Sequence, residues 1–471
     1  MTLLCLSMLS FSASAQEKWS LERCVREALE KSLTIRQVKL NEKGYEIEAK
    51  KLRMQRLPNL NASTDFGVSF GRAINPVTND FETENSFYQS VGLNSGVNVF
   101  NGFRLRNSIK QVDFLKTASQ EDIRQAQNDL ALSVALAYLN VLFAYENLEI
   151  AEARVGLTER QLEHVDKQIR AGRMAENDRF DILAQVAIDK QEIITAQNNI
   201  EINMLTLKQQ MLMEPDFPLE IERPVVDLST IEALENQTFE AIYTAALQSQ
   251  PEVVAAELRQ QAEELNIDIA RSTMIPSLSL GANLGSNWSD LAREPGGFII
   301  TRIPQPGVFI NGESALLEFE SEVPTNLAGI PYTRQLNNNI GYGIGASLSI
   351  PIFNNYSGRA AVENAKINLL NSEIQSALVK QNLKTDVQNA LASARASRKS
   401  LEAAEAAAVA ARMALRNADK LSELGSLNNF EYLSARNRND SAELSLLIAR
   451  YDYFFKVKII EYYMGRGMRL N

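Results

Sequence analysis

Histidine and cysteine are almost missing from this chain of 471 residues: His164 is the single histidine, and Cys5 and Cys24 are the two cysteines. One imidazole without partners cannot build a metal site or a hydrolytic triad. Two thiols, one of them inside an expected leader, leave no disulfide framework in the mature chain. No Gly-rich phosphate loop follows a strand pattern, so neither ATP use nor any other cofactor is expected. Basic runs are absent and the net charge is −10, which argues against nucleic acid as a partner. Nothing in the residues requires an enzyme. Met211 and Met213 read as packing at a helix end rather than as metal ligands.

Proline and glycine are scarce where they matter most. From Arg104 to Ala171 the chain has no proline and no glycine except Gly156. Its pattern is that of one helix, roughly 100 Å long at ~1.5 Å per residue. Val134, Val141, Leu148, Val155, Leu162 and Ile169 keep a seven-residue step, and Ala137, Ala144, Ala151, Thr158 and Val165 form a second track. This is coiled-coil spacing, with small residues that let partner helices approach closely. The two tracks recur 253 residues later, Val134 being matched by Val387 and Ala137 by Ala390. The chain is therefore an internal duplication.

Met1 to Ala15 reads as an export leader, with a short apolar run and Ala13-Ser14-Ala15 as the cleavage site. Cys5 precedes most of that run, the wrong order for lipidation, and Cys24 reads as a packed thiol. Ser20 is placed to cap a first helix running to about Arg56, before Leu57-Pro58. The period then changes to two. Leu60, Ala62, Thr64, Phe66, Val68 and Phe70 share one face, and after a polar turn Phe87, Val91, Leu93, Val97 and Val99 alternate back. The second copy repeats this grammar. Thr238 caps a helix ending at Ile275-Pro276, Leu278 to Trp288 alternates, and a Pro-, Gly- and Asn-rich insertion (290–339) precedes the alternating run Ile340 to Ile352.

The faces opposite these apolar ones carry Gly, Ser and Asn, which suits a wall between hydrocarbon and a watery lumen. Small polar residues would not fill a packed core. Four strands per chain cannot close a barrel. Two chains would give eight strands, with an interior filled by side chains, whereas three give twelve and leave a channel, so a homotrimer is expected. Each long helix ends at a glycine turn, Ala171-Gly172-Arg173 or Leu424-Gly425-Ser426, followed by a return helix from about Asp178 to Met213 or Asn429 to Met464. The expected organisation is a leader (1–15), a first repeat (16–213), a crossover linker (214–237) and a second repeat (238–471). The fold class is mainly α with a transmembrane β-barrel, the hairpin tips lying roughly 100 Å from the barrel.

Duplication, a Leu/Ile-Pro lead-in to each strand pair, long helix, glycine tip and return helix together resemble the TolC-like outer-membrane efflux proteins. The opening Trp19-Ser20-Leu21-Glu22-Arg23-Cys24 is similar to Bacteroidetes-type members. The resemblance covers nearly the whole mature chain. It implies a trimer with a twelve-stranded barrel in outer-membrane lipid and an α-helical periplasmic tunnel. It also implies a passive exit duct for a drug-efflux pump or type I secretion system, docked by a periplasmic adaptor (membrane fusion) protein onto an inner-membrane transporter. Gly172 and Gly425, with their neighbours Arg173, Ser426 and Leu427, match the tips on which the adaptor docks. Glu431 matches an acidic gate position, and either Asp178 or Asp181 is its counterpart in the first tip. Leu427 and Ser422 stand where well-studied members hold the closed tip with arginine and tyrosine, so the family's tip lock does not carry over. Arg173 is either such a contact or a cation complementing a helix C-terminus. Apart from the resemblance, a structural or adhesive envelope protein working through the 290–339 insertion remains the alternative.

Overall fold

The computed structural model describes residues 18–74, 81–223, 234–310, 313–424, 426–427 and 429–466. The leader, Pro224 of the linker and Gly425 of the second tip lie outside them. Nine helices and six strands are named among the described residues: α1 Leu21–Lys31, α2 Leu33–Met54, β1 Asn59–Ile74, β2 Phe81–Asn101, α3 Arg104–Arg170, α4 Asn177–Gln210, α5 Phe239–Ser249, α6 Pro251–Arg271, β3 Ser277–Ser289, β4 Arg293–Ile310, β5 Glu313–Gly329, α7 Tyr332–Asn338, β6 Gly341–Ser349, α8 Ser357–Glu423 and α9 Asn429–Tyr463. They form two compact units. One runs through Glu46, from Val112 to Glu263 and from Asn368 onward; the other takes Ile47–Gln111 and Glu264–Ile367.

In the helical unit the heptad tracks are the core. Val134, Val141 and all of Ala137, Ala144, Ala151, Thr158 and Val165 are buried on α3, as are Val387, Ala394, Leu401, Ala408, Ala411 and Ala418 on α8. Two equivalent clusters result. The first packs α1, α3, the end of α4 and the linker residues Leu219 and Ile221; the second packs Leu234, α5, α6 and α8. Helix α9 serves both, giving Tyr451 and Phe455 to the first and Tyr453, Val457 and Ile460 to the second. By length and composition α3 is apolar enough to cross a membrane. Its apolar stretch, Val134 to Leu142, is nevertheless core packing. Met211 and Cys24 are fully buried there, and burial pushes the Cys24 thiol up to about 12, which makes it inert at neutral pH.

Both first helices are broken where the sequence suggests continuity. Ser20 caps α1 as expected, accepting from the Arg23 N–H at 3.3 Å. Ser32 then turns extended, its N–H still bonded to Ala28 O and its Oγ capping Ile35 N–H at 3.2 Å, so one residue ends α1 and starts α2. The second copy breaks 218 residues later at Gln250, which Pro251 forces out of helical geometry. Thr238 and Pro276 match Ser20 and Pro58 at the same spacing.

The strand unit holds a four-stranded antiparallel sheet in the order β1-β2-β3-β6, so the β2–β3 pair joins the two repeats and β1 and β6 are its edges. Register puts the apolar residues of all four strands on one face: Ala62, Leu93, Leu284 and Tyr342 form one cross-strand row, and Leu60, Ser95, Ala282 and Ile344 the next. The alternation fails once. A bulge between Asn98 and Phe100 sets Phe100, not Val99, opposite Leu278.

Each strand-to-helix turn uses two consecutive left-handed residues, Gly102-Phe103 before α3 and Asn355-Tyr356 before α8. A Cβ on Gly102 would sit 3.0 Å from Ser272 O, so that turn needs glycine for space as well as conformation. The described residues of the 290–339 insertion form two strands and a short helix rather than a plain loop. β4 and β5 pair into a separate two-stranded sheet, with Ile299 opposite Val323 and Ile303 opposite Phe319. The short α7 is tied to β3 through Gln335, whose Nε2 donates to Ser289 O and Ile330 O and whose Oε1 accepts from Ser289 N–H, all within 2.9 Å.

Candidate functional site

Two regions carry the functional expectations. In the strand unit the face opposite the apolar rows is built from matched small polar residues. Asn61, Asn94, Asn283 and Gly343 share one row, and Asn59, Gly96, Gly281 and Gly345 another. With Gln55, Arg104 and Ser108 this face borders an open concavity of about 1150 Å³. The strand face that lines it offers amide, hydroxyl and backbone groups.

In the helical unit the first hairpin tip is a Schellman turn. Gly172 is left-handed (φ 70°), its N–H bonds Ile169 O at 2.9 Å, and Arg173 N–H bonds Gln168 O at 3.0 Å. No neighbour crowds Gly172 within 4 Å, so conformation alone demands glycine. The second tip repeats the long bond, Ser426 N–H to Leu421 O at 2.9 Å. Ser426 is exposed and Leu427 half-buried, while Gly425 between the helices is not among the described residues. Arg173 borders a shallow concavity with Arg160, His164 and Lys167. Asp178 is half-buried in the first turn of α4, Asp181 is exposed one turn on, and Glu431 is exposed in the first turn of α9. The first tip is braced by Arg179 of α4, which donates to Asp166 of α3 at 2.9 Å. His164 is exposed beside Gln168, as its position between core residues allows. Among the described residues no three of His, Cys, Asp and Glu are grouped to hold a metal.

One cluster escaped the sequence reading. Thr158 of α3 donates to Asp189 of α4 at 2.6 Å, and Gln185 donates to the other Asp189 oxygen at 2.8 Å. Arg436 of α9 inserts beside them and donates to the Arg154 main-chain oxygen at 2.8 Å. Burial pulls the Arg436 guanidinium below its usual range, against the carboxylates of Asp440 and Asp189. The one sequence signal was Thr158, the polar member of an otherwise Ala and Val track.

The crossover linker is fastened at both described ends. Trp19 and Ile221 form a parallel bridge, and Tyr138 donates its hydroxyl to Glu222 O at 2.5 Å, with Trp19 O at 3.2 Å. At the far end Arg395 donates to Glu235 O at 2.9 Å, and Arg398 lies 3.4 Å from the buried Glu235 carboxylate.

A family model described as outer membrane efflux protein matches residues 24–211 and 242–454, both repeats without the linker. The outer membrane protein TolC of Vibrio cholerae is 26% identical over 371 residues, 78% of this chain and 75% of TolC. The cation efflux system protein CusC of Escherichia coli O157:H7 is 23% identical over 412 residues, 87% of this chain and 78% of CusC. A solved CusC structure superposes with a TM-score of 0.75 at 18% identity, covering 97% of this chain and 96% of the other. The CmeC outer-membrane channel of Campylobacter jejuni reaches 0.75 at 17% identity, covering 96% and 86%. The fold of long helices with a small four-stranded antiparallel sheet is thus shared along nearly the whole length, and the chain belongs to the outer membrane efflux protein family.

Proposed function

We propose that three copies of this chain close a twelve-stranded barrel in the outer membrane, continued by a periplasmic helical tunnel. The assembly is the passive exit duct of a tripartite efflux pump or type I secretion system, reached through a periplasmic adaptor and an inner-membrane transporter. It is a conduit and not an enzyme. The observation that carries this reading is the four-stranded sheet itself. It has two unpaired edges, β1 and β6, and an apolar face so open that Tyr342 is 85% and Ile344 89% exposed in the single chain. An unpaired edge invites a partner strand, and an exposed apolar face invites lipid. The nine residues of β6, at ~3.3 Å each and tilted ~40°, span about 23 Å, close to the ~25 Å apolar band of an outer membrane.

Helix faces support the same assembly. Leu33, Leu40, Ile47 and Met54 recur every seven residues along α2 and are all exposed; on α8 Ile367, Leu370, Ile374 and Leu378, at helical steps of three and four, are exposed too. Stripes at heptad spacing are seams for neighbouring helices, here those of the next copy. The glycine tips at Gly172 and Gly425, with Arg173, Ser426 and Leu427, are the adaptor-docking ends, and Glu431 with Asp178 or Asp181 lines the periplasmic gate. One carboxylate per chain becomes a ring of three that favours cations. Accordingly, Glu431→Gln is expected to lower cation preference in planar-bilayer recordings; unchanged selectivity would move Glu431 to the outer wall. Deleting 293–329, the β4–β5 hairpin, is expected to leave conductance intact, whereas loss of all function would favour the adhesive role.

A further inference from the structure

Among the described residues, Arg104 is the one charged side chain that borders the concavity on the small polar face of the sheet. Gln55, Asn59, Asn98, Asn101 and Ser108 around it are neutral hydrogen-bonding groups, and the space of about 1150 Å³ is ample for a small organic solute. Arg104 is exposed, and among the described residues its guanidinium has neither an ion pair nor a hydrogen bond. The next charge on that face of β1 is Asp65, six residues beyond Asn59 and so roughly 20 Å away, where it accepts from the Ser90 hydroxyl. Two further observations set Arg104 apart from an ordinary surface cation. It opens α3, whose first turn holds Arg104 and Arg106 and no acid, so its charge stands against a helix dipole that favours anions at that end. A residue kept against local preference marks a place to look for function. Nor does the duplication account for it. At the 253-residue offset Arg106 is matched by Arg359, whereas Arg104 is matched by Ser357. Arg106 lies over the Phe103 ring, 5.7 Å from its centroid, and does not border the concavity.

We propose that Arg104 is a specificity-determining residue of the duct, which holds solutes bearing an oxyanion, a carboxylate or a phosphate, at the small polar face of the barrel. A planar guanidinium presents two parallel donors to such a group, and the neighbouring amides and hydroxyl serve the rest of the solute. Three copies set three guanidiniums around one lumen, a cationic ring in a wall of uncharged residues. The inference rests on the duct reading, since only barrel closure turns this face inward. It adds a ring opposite in sign to the carboxylates assigned to the tip, so that anions reaching the barrel are retained there rather than repelled.

The test is planar-bilayer recording of the full-length trimer in a potassium chloride gradient, with inorganic pyrophosphate and citrate added in turn as blockers. Arg104→Gln is expected to raise the potassium-to-chloride permeability ratio several-fold and to raise several-fold the concentration at which pyrophosphate or citrate blocks. The anion whose block weakens more names phosphate or carboxylate as the preferred group. Arg106→Gln, which removes the neighbouring cation outside the concavity, is expected to change neither quantity. An equal change in that variant would reduce the effect to bulk charge and overturn the site, as would an Arg104→Gln trimer indistinguishable from wild type. Arg104→Lys keeps the charge without the fork, so it is expected to hold the permeability ratio and weaken the block. A block as tight as in wild type would count against oxyanion recognition, and this variant carries the test should Arg104→Gln fail to assemble. A wild-type trimer that never conducts would instead overturn the duct reading.

Discussion

Tyr138 shows how much one side chain can hold. It is buried in the first core cluster, and its hydroxyl satisfies Glu222 O at the described start of the crossover linker. Tyr138→Phe leaves that carbonyl without its donor at little change in volume, an expected loss of about 1–3 kcal/mol. Thermal or urea stability of the helical unit reads it, and an unchanged midpoint would mean that water replaces the hydroxyl. In the sequence Tyr138 is only an aromatic beside the heptad position Ala137, because its partners lie far along the chain. Gly172 was legible for the opposite reason: a local turn needs a left-handed residue, and the signal sits within six residues. Thr158 was half legible. Its place on the track was plain, but its polarity meant nothing until Asp189, from another helix, stood opposite.

At the scale of elements the sheet makes the sharpest demand. Tyr342 and Ile344 belong to the face assigned to lipid, and Ser279, opposite Asn98 and Ser347, to the face assigned to the lumen. Ile344→Arg is expected to cost about 2–4 kcal/mol near the bilayer midplane and to deplete heat-stable trimer on gels. Ser279→Arg is expected to assemble normally and alter conductance. The reverse ranking would invert the facing. These faces could be read directly from period-two alternation, because a strand exposes its pattern without knowledge of its neighbour. What alternation hides is a slip between neighbours, hence the bulge at Val99. The β4–β5 hairpin was obscured by Pro295, Gly296, Gly297, Pro304, Pro306 and Gly307, which mask a period that cross-strand pairs such as Arg302–Glu320 reveal. The break at Ser32 was hidden because serine is tolerated within helices, and the equivalent break at Pro251 was passed over because proline is tolerated in the first turn of a helix, so 238–275 read as one helix.

For the molecule as a whole, duplication is the governing fact. Each repeat spends its residues on two strands that cannot close and on helices whose exposed apolar stripes have no partner among the described residues. In the proposed assembly three copies would satisfy both deficits with one symmetry operation. Strand arithmetic in the sequence points to the same number, and the edge strands β1 and β6 are where neighbouring copies would pair. The most direct test is the mass of the detergent-extracted wild-type protein measured on the sample used for planar-bilayer recording. A mass of three mature chains, with discrete cation-selective conductance, is the predicted result. A monomer without conductance would contradict barrel closure, and the exposed apolar face of the sheet would then need another explanation.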